Sequence, residues 1–258
     1  MTLGRRISQS TLGRPIAIAT TVALLVIFGA YELIVLTQVI GRRLGEDRLF
    51  FQAIGQRWLD GAPVYLPHQL AGPYQVTLQV DNLYPPTALL LFVPLTFLPS
   101  FVWWLVPLSV TGYVIARWRP AWWAWPLMAL LFLWPKTISS VLWGNTDMWA
   151  VAAVAAGLRW GWPAVFLLLK PTLAPFALVG VRQRSFWVVG AAMVVLGLFT
   201  LPLWFDYFTA MRNLRIPWDY SLVSIPPMFL PIVAWLARTS DRGEDEKEFV
   251  AAPLPGGS

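Results

Sequence analysis

Apolar residues run from Pro15 to Ile40 with one charge, Glu32, inside the run. At about 1.5 Å per residue such a helix spans a bilayer with some tilt. Arg5, Arg6 and Arg14 precede it, so the positive-inside rule puts the N-terminus in the cytoplasm. The apolar core is longer than that of a cleaved signal peptide and has no clear small-residue cleavage site, so an uncleaved first span is expected. Gly41 to Leu83 is the longest polar segment. Within it Phe50, Phe51, Ile54 and Trp58 recur at helical spacing and Gly61 follows, the pattern of an amphipathic helix lying on the membrane. Pro63, Tyr65, Pro67, Gly72 and Pro73 then read as an irregular outer loop.

From Tyr84 onward apolar stretches alternate with breakers: Pro85 to Pro99, Phe101 to Ala116, Ala121 to Trp134, Asn145 to Leu158, Trp160 to Val181, Phe186 to Leu203 and Leu222 to Ala237. Several fall short of the roughly 20 residues of a clean crossing, and proline lies in or beside most of them, so broken and re-entrant helices are expected. Two topologies follow. If every stretch crosses, Arg117, Arg119 and Arg159 lie outside and the turn at Gly144 lies inside. If Pro85 to Pro99 and Trp160 to Val181 are re-entrant, those arginines lie inside and the turn shares the outer face with Asp47, which the positive-inside rule favours by a few charges. The expected fold class is therefore an all-α polytopic membrane protein of about six to eight transmembrane or re-entrant helices. One membrane domain over 1–240 includes an outer loop at 41–84, and 241–258 form a charged, then Pro/Gly-rich, disordered tail.

Composition sharpens this reading. Hydrophobic residues make up 57% of the 258 residues and charged residues 12%, against about a quarter in soluble chains, which excludes an ordinary soluble enzyme. The absence of cysteine excludes disulfides and thiolate chemistry, and a single histidine leaves little for zinc. The formal charge of +6 averages over unlike regions, because Asp241, Glu244, Asp245, Glu246 and Glu248 crowd the tail. Lysine occurs only at Lys136, Lys170 and Lys247, and the other cations are arginine. They are scattered between apolar runs, which suits anionic lipid or a phosphate-bearing substrate and not nucleic acid.

Asp47 follows the first span at the membrane rim, between Arg43 and Arg48. A carboxylate there can take the proton of a sugar hydroxyl as its oxygen attacks. It can also cap a helix starting at Arg48, and position alone favours the cap; Glu46 suits either role. Arg42, Arg43, Arg48 and Arg57 on the translocated side ask for a local reason, which a lipid phosphate or bulk headgroups would supply. Tyr84-Pro85-Pro86 reads as an interfacial tyrosine with prolines at the first helical positions, or as a rigid wall beside the carboxylate. Lys170-Pro171 lies deep in an apolar run, where a charge marks a substrate path or an ion partner more often than a snorkelling side chain. Asp147 is expected to cap the following helix, face a cavity or pair with Lys170. His68 reads as a surface residue. Arg212 and Arg215 anchor at the interface or reach a phosphate. No metal-ligand spacing or phosphate loop is present in the sequence.

The ordered string Asp47-Arg48-Leu49-Phe50, Ala53, Leu59-Asp60-Gly61, Tyr65, Leu83-Tyr84-Pro85-Pro86, Pro94-Leu95 and Leu98-Pro99 resembles the opening of glycosyltransferase family 87, the polyprenol-phosphate-mannose-dependent mannosyltransferases with the C-type membrane fold. Gly144-Asn145 is similar to that family's Gly-Gln turn, with Asn145 where glutamine is usual. Lys170-Pro171, Trp204 through Tyr207, and Ser221-Leu222 resemble its later motifs, and the shorter C-terminal part implies a short or divergent member. The resemblance implies Asp47 as catalytic base, with Arg43, Arg48, Tyr84, Pro85, Pro86, Asn145, Asp147, Lys170 and Arg212 as substrate-binding residues. It implies an inverting transfer of a sugar, mannose in the family, from a polyprenyl-phosphate donor to a lipid-linked or polysaccharide acceptor. The setting would be the outer face of a bacterial plasma membrane, among membrane lipids, with no cofactor. A transporter or flippase of a lipid-linked anion and a non-catalytic assembly subunit are the alternatives from other classes.

Overall fold

The computed structural model describes residues 12–76, 81–215 and 222–239. The tail expected at 241–258, the early Arg5 and Arg6, the side chain of Arg43, and Ser221 lie outside the described residues. The chain is mostly helical. Helix α1 (Gly13–Arg43) contains the apolar stretch Gly13–Val35, which is almost wholly unburied by the rest of the protein. Among the described residues it is the one helix long and apolar enough to cross a membrane by itself; up to three crossings result if each bent pair below forms one span.

Helix α2 (Glu46–Leu59) begins where Gly45 takes φ 73°, a left-handed conformation that costs glycine nothing. Glu46 and Asp47 occupy its first turn, where negative charge offsets the exposed helix amides. The helix is amphipathic as expected, yet its apolar face does more than float at an interface. Phe51 and Ile54 are buried, and α2 packs against helix α4 (Leu89–Thr96). Phe51 stacks on Phe92 with ring centroids 4.9 Å apart and on Trp103 at 5.6 Å, which fixes the end of α2 that carries Asp47.

The loop after α2 is more ordered than its prolines suggest. It holds a short helix α3 (Pro67–Ala71) and a two-residue strand β1 (Tyr74–Gln75), parallel to β2 (Leu214–Arg215). Buried Gln69 bonds the Tyr74 hydroxyl at 3.0 Å and the Asn82 carbonyl at 3.1 Å, and Asn213 donates to the Gln69 carbonyl at 3.0 Å. His68 is half-exposed, as expected of a surface residue, but its Nε2 also lies 2.7 Å from the buried carboxylate of Asp81. These bonds hold the segment that delivers Tyr84.

A 3-10 turn, Pro86–Ala88, leads into α4, and helix α5 (Val102–Trp118) follows. Next come α6 (Trp125–Phe132) and α7 (Pro135–Trp143), part of a pair bent by 58° where Pro135 interrupts the backbone ladder. Helix α8 (Asp147–Trp160), nearly all buried, is the axle of the molecule: α5, helix α11 (Ile225–Leu236) and a 3-10 segment, Trp162–Leu169, pack on it. A second 3-10 segment, Pro171–Val179, is followed by α9 (Arg184–Leu198) and α10 (Leu201–Asn213), bent by 92°. Two consecutive 3-10 runs of eight and nine residues are unusual, since such runs seldom exceed three or four. Proline at the start of each, and Pro175 within the second, accounts for the missing α-type bonds.

Candidate functional site

The site forms where the start of α2 meets the turn between α7 and α8. Gly45 N–H donates to the Leu142 carbonyl at 2.8 Å, and the indoles of Trp103 and Trp104 donate to the carbonyls of Gly144 at 2.8 Å and Val141 at 2.6 Å. Gly144 has φ 68°, and a Cβ there would lie 2.9 Å from Arg48 Cβ, so only glycine permits this approach. The backbone contact places Asn145 against Asp47.

Asn145 Nδ2 donates to Asp47 Oδ2 at 2.5 Å, while its Oδ1 accepts the Asp147 amide at 3.0 Å. The second bond fixes which end of the amide faces the carboxylate. Asp47 is therefore not the N-cap that its position suggested: Gly45 holds that place, and the Asp47 side chain reaches across to Asn145. Burial raises its pKa above the ordinary aspartate value. The Asn145 bond and the charges of Lys136 and Lys170 oppose that rise, and the charge of Asp147 adds to it.

Asp147 is 1% exposed, accepts hydrogen bonds from three side chains and is ion-paired with a fourth. Lys170 bonds its Oδ1; Ser224 and Ser140 donate to Oδ2 at 2.8 and 3.3 Å, and the Lys136 ammonium lies 3.7 Å from the same oxygen. Of the three roles expected for Asp147, pairing with Lys170 is the one the structure shows. Lys170 can reach it because Pro171 forces the preceding residue out of helical geometry, to φ −121° and ψ 94°, at the junction of the two 3-10 segments.

A cavity of about 340 Å³ adjoins this cluster. Its walls are apolar, from Phe92, Pro107 and Trp149 to Ala153, Ala156 and Phe166, and small alanines on α8 leave the room. Tyr84, Thr146 and Lys170 contribute polar atoms, with the Tyr84 hydroxyl 2.6 Å from Thr146 Oγ1. Lys170, Asp147 and Asp47 all act electrostatically on that hydroxyl, so the four residues share one locality.

Asp47, Tyr84, Asn145, Asp147 and Lys170 thus come together. Pro85 and Pro86 are buried and shape the entry to α4 without lining the cavity. Arg48 is not brought to the carboxylate: its Nη2 donates at 2.7 Å to Gln52, one turn along α2. Arg212 is exposed near the end of α10, beside β2 and away from the cavity lining. Asn145 contacts Asp47 directly, a supporting place more than a substrate-binding one.

The sequence reading missed Lys136, Ser140, Thr146 and Ser224. Lys136 had a signal, since it is one of three lysines in an arginine-rich chain and, like Lys170, precedes or follows proline within an apolar run. Ser140 lies four residues on, hence on the same helix face. The two serines and Thr146 carry no sequence signal. Among the described residues no cluster of three or more His, Asp or Glu suits a metal ion. No protein family model, curated protein or solved structure matches the chain.

Proposed function

We propose that this protein is a membrane glycosyltransferase of the C-type class that moves a sugar, mannose by the resemblance to family 87, from a polyprenyl-phosphate donor to a hydroxyl of a lipid-linked or polysaccharide acceptor at the outer face. The observation that carries the reading is the juxtaposition of a desolvated, Asn145-bonded Asp47 carboxylate with lysine ammonium groups beside an apolar cavity. Each part has a chemical use. Asp47 takes the proton of the acceptor hydroxyl as its oxygen forms a bond to the anomeric carbon. The bond from that carbon to the phosphate oxygen breaks on the opposite side, which inverts the centre, and the lipid phosphate leaves as an anion. Lys170 stabilises that charge where water is scarce, and the apolar walls accommodate the first isoprene units.

Purified protein incubated in detergent with radiolabelled polyprenyl-phosphate sugar and a lipid acceptor is expected to yield a new glycosidic product. The break at Lys170-Pro171 between two irregular helical segments favours a second reading, a flippase for a lipid-linked anion, because transport sites also form where spans unwind. In that case the labelled lipid returns chemically unaltered and, in vesicles, changes leaflet.

A further inference from the structure

A second groove, of about 300 Å³, opens where α1 lies against α6, away from the Asp47 cluster. Its walls include Thr21 and Leu25 of α1, Ile115 of α5, Trp125 and Phe132 at the two ends of α6, and Leu230 of α11. The polar side-chain atoms of these walls are already taken: the Thr21 hydroxyl donates to the Ala17 carbonyl at 2.7 Å and the Trp125 indole to the Pro120 carbonyl at 3.0 Å. Nothing in the walls is left to hold water, and Leu25, Trp125 and Phe132 are exposed along the opening.

The fold gives this groove a direction. Gly45 N–H, donating to the Leu142 carbonyl, ties the far end of α1 to the end of α7. Helix α1 therefore runs in the same sense as α6 and α7, and its first turns pack on the 3-10 turn Trp122–Ala124 that opens α6. One end of the groove thus faces the start of α1, about 45 Å along that helix from the Asp47 end.

Arginines stand at this mouth. Arg14 precedes Thr21 by two turns and so shares its face of α1. Arg119 caps α5 four residues after Ile115, beside the Pro120 carbonyl that receives Trp125. Both arginines are exposed. Arg238 lies at the same end, where Ala121 N–H donates to the Ala237 carbonyl, but its guanidinium is held by the Trp235 carbonyl at 2.9 Å and lies over the Trp235 ring at 4.3 Å. Arg119 is the one non-glycine among the described residues with a positive φ, 47°, at a position where glycine commonly ends a helix. An arginine kept at a strained position points to a use for its side chain.

We propose that this groove and its arginine mouth form a site for one anionic diacyl phospholipid, drawn from the leaflet opposite the Asp47 site. Arg14 and Arg119 take the headgroup phosphate, which the planar guanidinium fork matches. One acyl chain runs past Leu25 and Phe132 and covers the side of α1 that the protein leaves open. Charge at the mouth and apolar walls beyond it select the two ends of the same molecule. The site is independent of whatever chemistry the Asp47 cluster performs.

The test is native mass spectrometry of the full chain released from detergent micelles, with dioleoyl phosphatidylglycerol or dioleoyl phosphatidylcholine added at matched concentrations. Wild type is expected to retain one phosphatidylglycerol, with an affinity at least about 10-fold above that for phosphatidylcholine. Arg14→Gln/Arg119→Gln weakens phosphatidylglycerol retention about 10- to 30-fold and leaves phosphatidylcholine unchanged. If that double variant melts below wild type, Arg14→Gln alone replaces it, with a loss of about fivefold. Leu25→Trp fills the groove from an exposed position, displaces about two methylenes of chain and lowers retention of both lipids about 10-fold. Arg184→Gln removes the same charge from an exposed residue of α9, which packs on the 3-10 segment Trp162–Leu169, and changes neither lipid.

Equal retention of the two lipids by wild type overturns the anionic assignment. Wild-type retention of phosphatidylglycerol in the arginine variants overturns the mouth, and unchanged retention of both lipids in Leu25→Trp overturns the groove as the seat of the chain. A loss in Arg184→Gln equal to that in the arginine variants reduces the effect to general charge attraction and overturns the site. A lipid-free dimer that Leu25→Trp dissociates assigns the groove to a second copy of the chain and overturns it as well.

Discussion

Replacing Asn145 by alanine removes the 2.5 Å bond to the Asp47 carboxylate and the bond to the Asp147 amide. A hydrogen bond to a charged group contributes about 1.5–3 kcal/mol, and at a half-buried carboxylate water recovers part of it, leaving about 1.5 kcal/mol. Since about 1.4 kcal/mol corresponds to one pH unit, the midpoint for ionising Asp47 moves up by about one pH unit. The direction adds to the rise that burial already causes, and Lys136, Lys170, Asp147 and Tyr84 remain in place around the group. The folded state then holds the proton more tightly than the unfolded chain. Asp47 consequently contributes most to stability below its ordinary pKa, and that contribution is lost as pH rises to the folded value. In Asn145→Ala this window widens upward. Difference infrared spectroscopy of the protonated carboxyl band, with Asp47→Asn as the subtraction control, reads the midpoint without any assumption about activity. The acid limb of the sugar-transfer rate is expected to move with it, because a base must be ionised to act. An unchanged carboxyl midpoint in Asn145→Ala would refute the argument that Asn145 supports the charge on Asp47.

Two further perturbations probe how the site is built into the fold. Gly144→Ala combines a left-handed backbone, about 1–2 kcal/mol, with contacts at 2.9 to 3.2 Å to Arg48 and the two indoles, about 1–3 kcal/mol; denaturation in mixed micelles is expected to show a combined loss of about 2–5 kcal/mol, and wild-type stability would refute the close approach. Lys170→Met exposes Asp147 to partial loss of its counter-charge and is expected to cost about 2–3 kcal/mol, less than the 3–5 or so of a fully orphaned buried charge because Lys136 stays nearby. The double variant Lys170→Met/Asp147→Leu is expected to be more stable than Lys170→Met alone; the same denaturation assay giving strictly additive losses would show that the pair is not coupled.

Much of the site was legible in the sequence because charge is conspicuous in an apolar chain. Lys170 stood out by its depth, Asp147 by its place beside a Gly-Asn turn, and Asp47 by its position after the first span. What hid the rest was tertiary geometry. The periodicity of Phe51 and Ile54 predicted the amphipathic helix but not that α4 and Trp103, instead of lipid headgroups, would cover it. Asp47 resembled an N-cap because local sequence does not reveal that Gly45 would adopt a left-handed conformation two residues earlier and free the carboxylate to reach Asn145. Arg48 and Arg212 looked like phosphate ligands on charge alone, yet helix phase sends one to Gln52 and the position of β2 leaves the other exposed. Ser140 and Ser224 sit on separate helical segments and meet only at Asp147, a contact no local pattern encodes. Apolar stretches marked the helices well, but the 58° and 92° bends follow from prolines and packing together, so counting stretches overstates the number of straight crossings.

The most direct test of the transferase reading compares wild type with Asp47→Asn, both purified intact from membranes and supplied with labelled polyprenyl-phosphate sugar and a lipid acceptor. The account predicts an anomerically inverted glycoside from wild type and none above background from Asp47→Asn, with donor binding and thermal stability retained. Equal rates of product formation by the two proteins would contradict it.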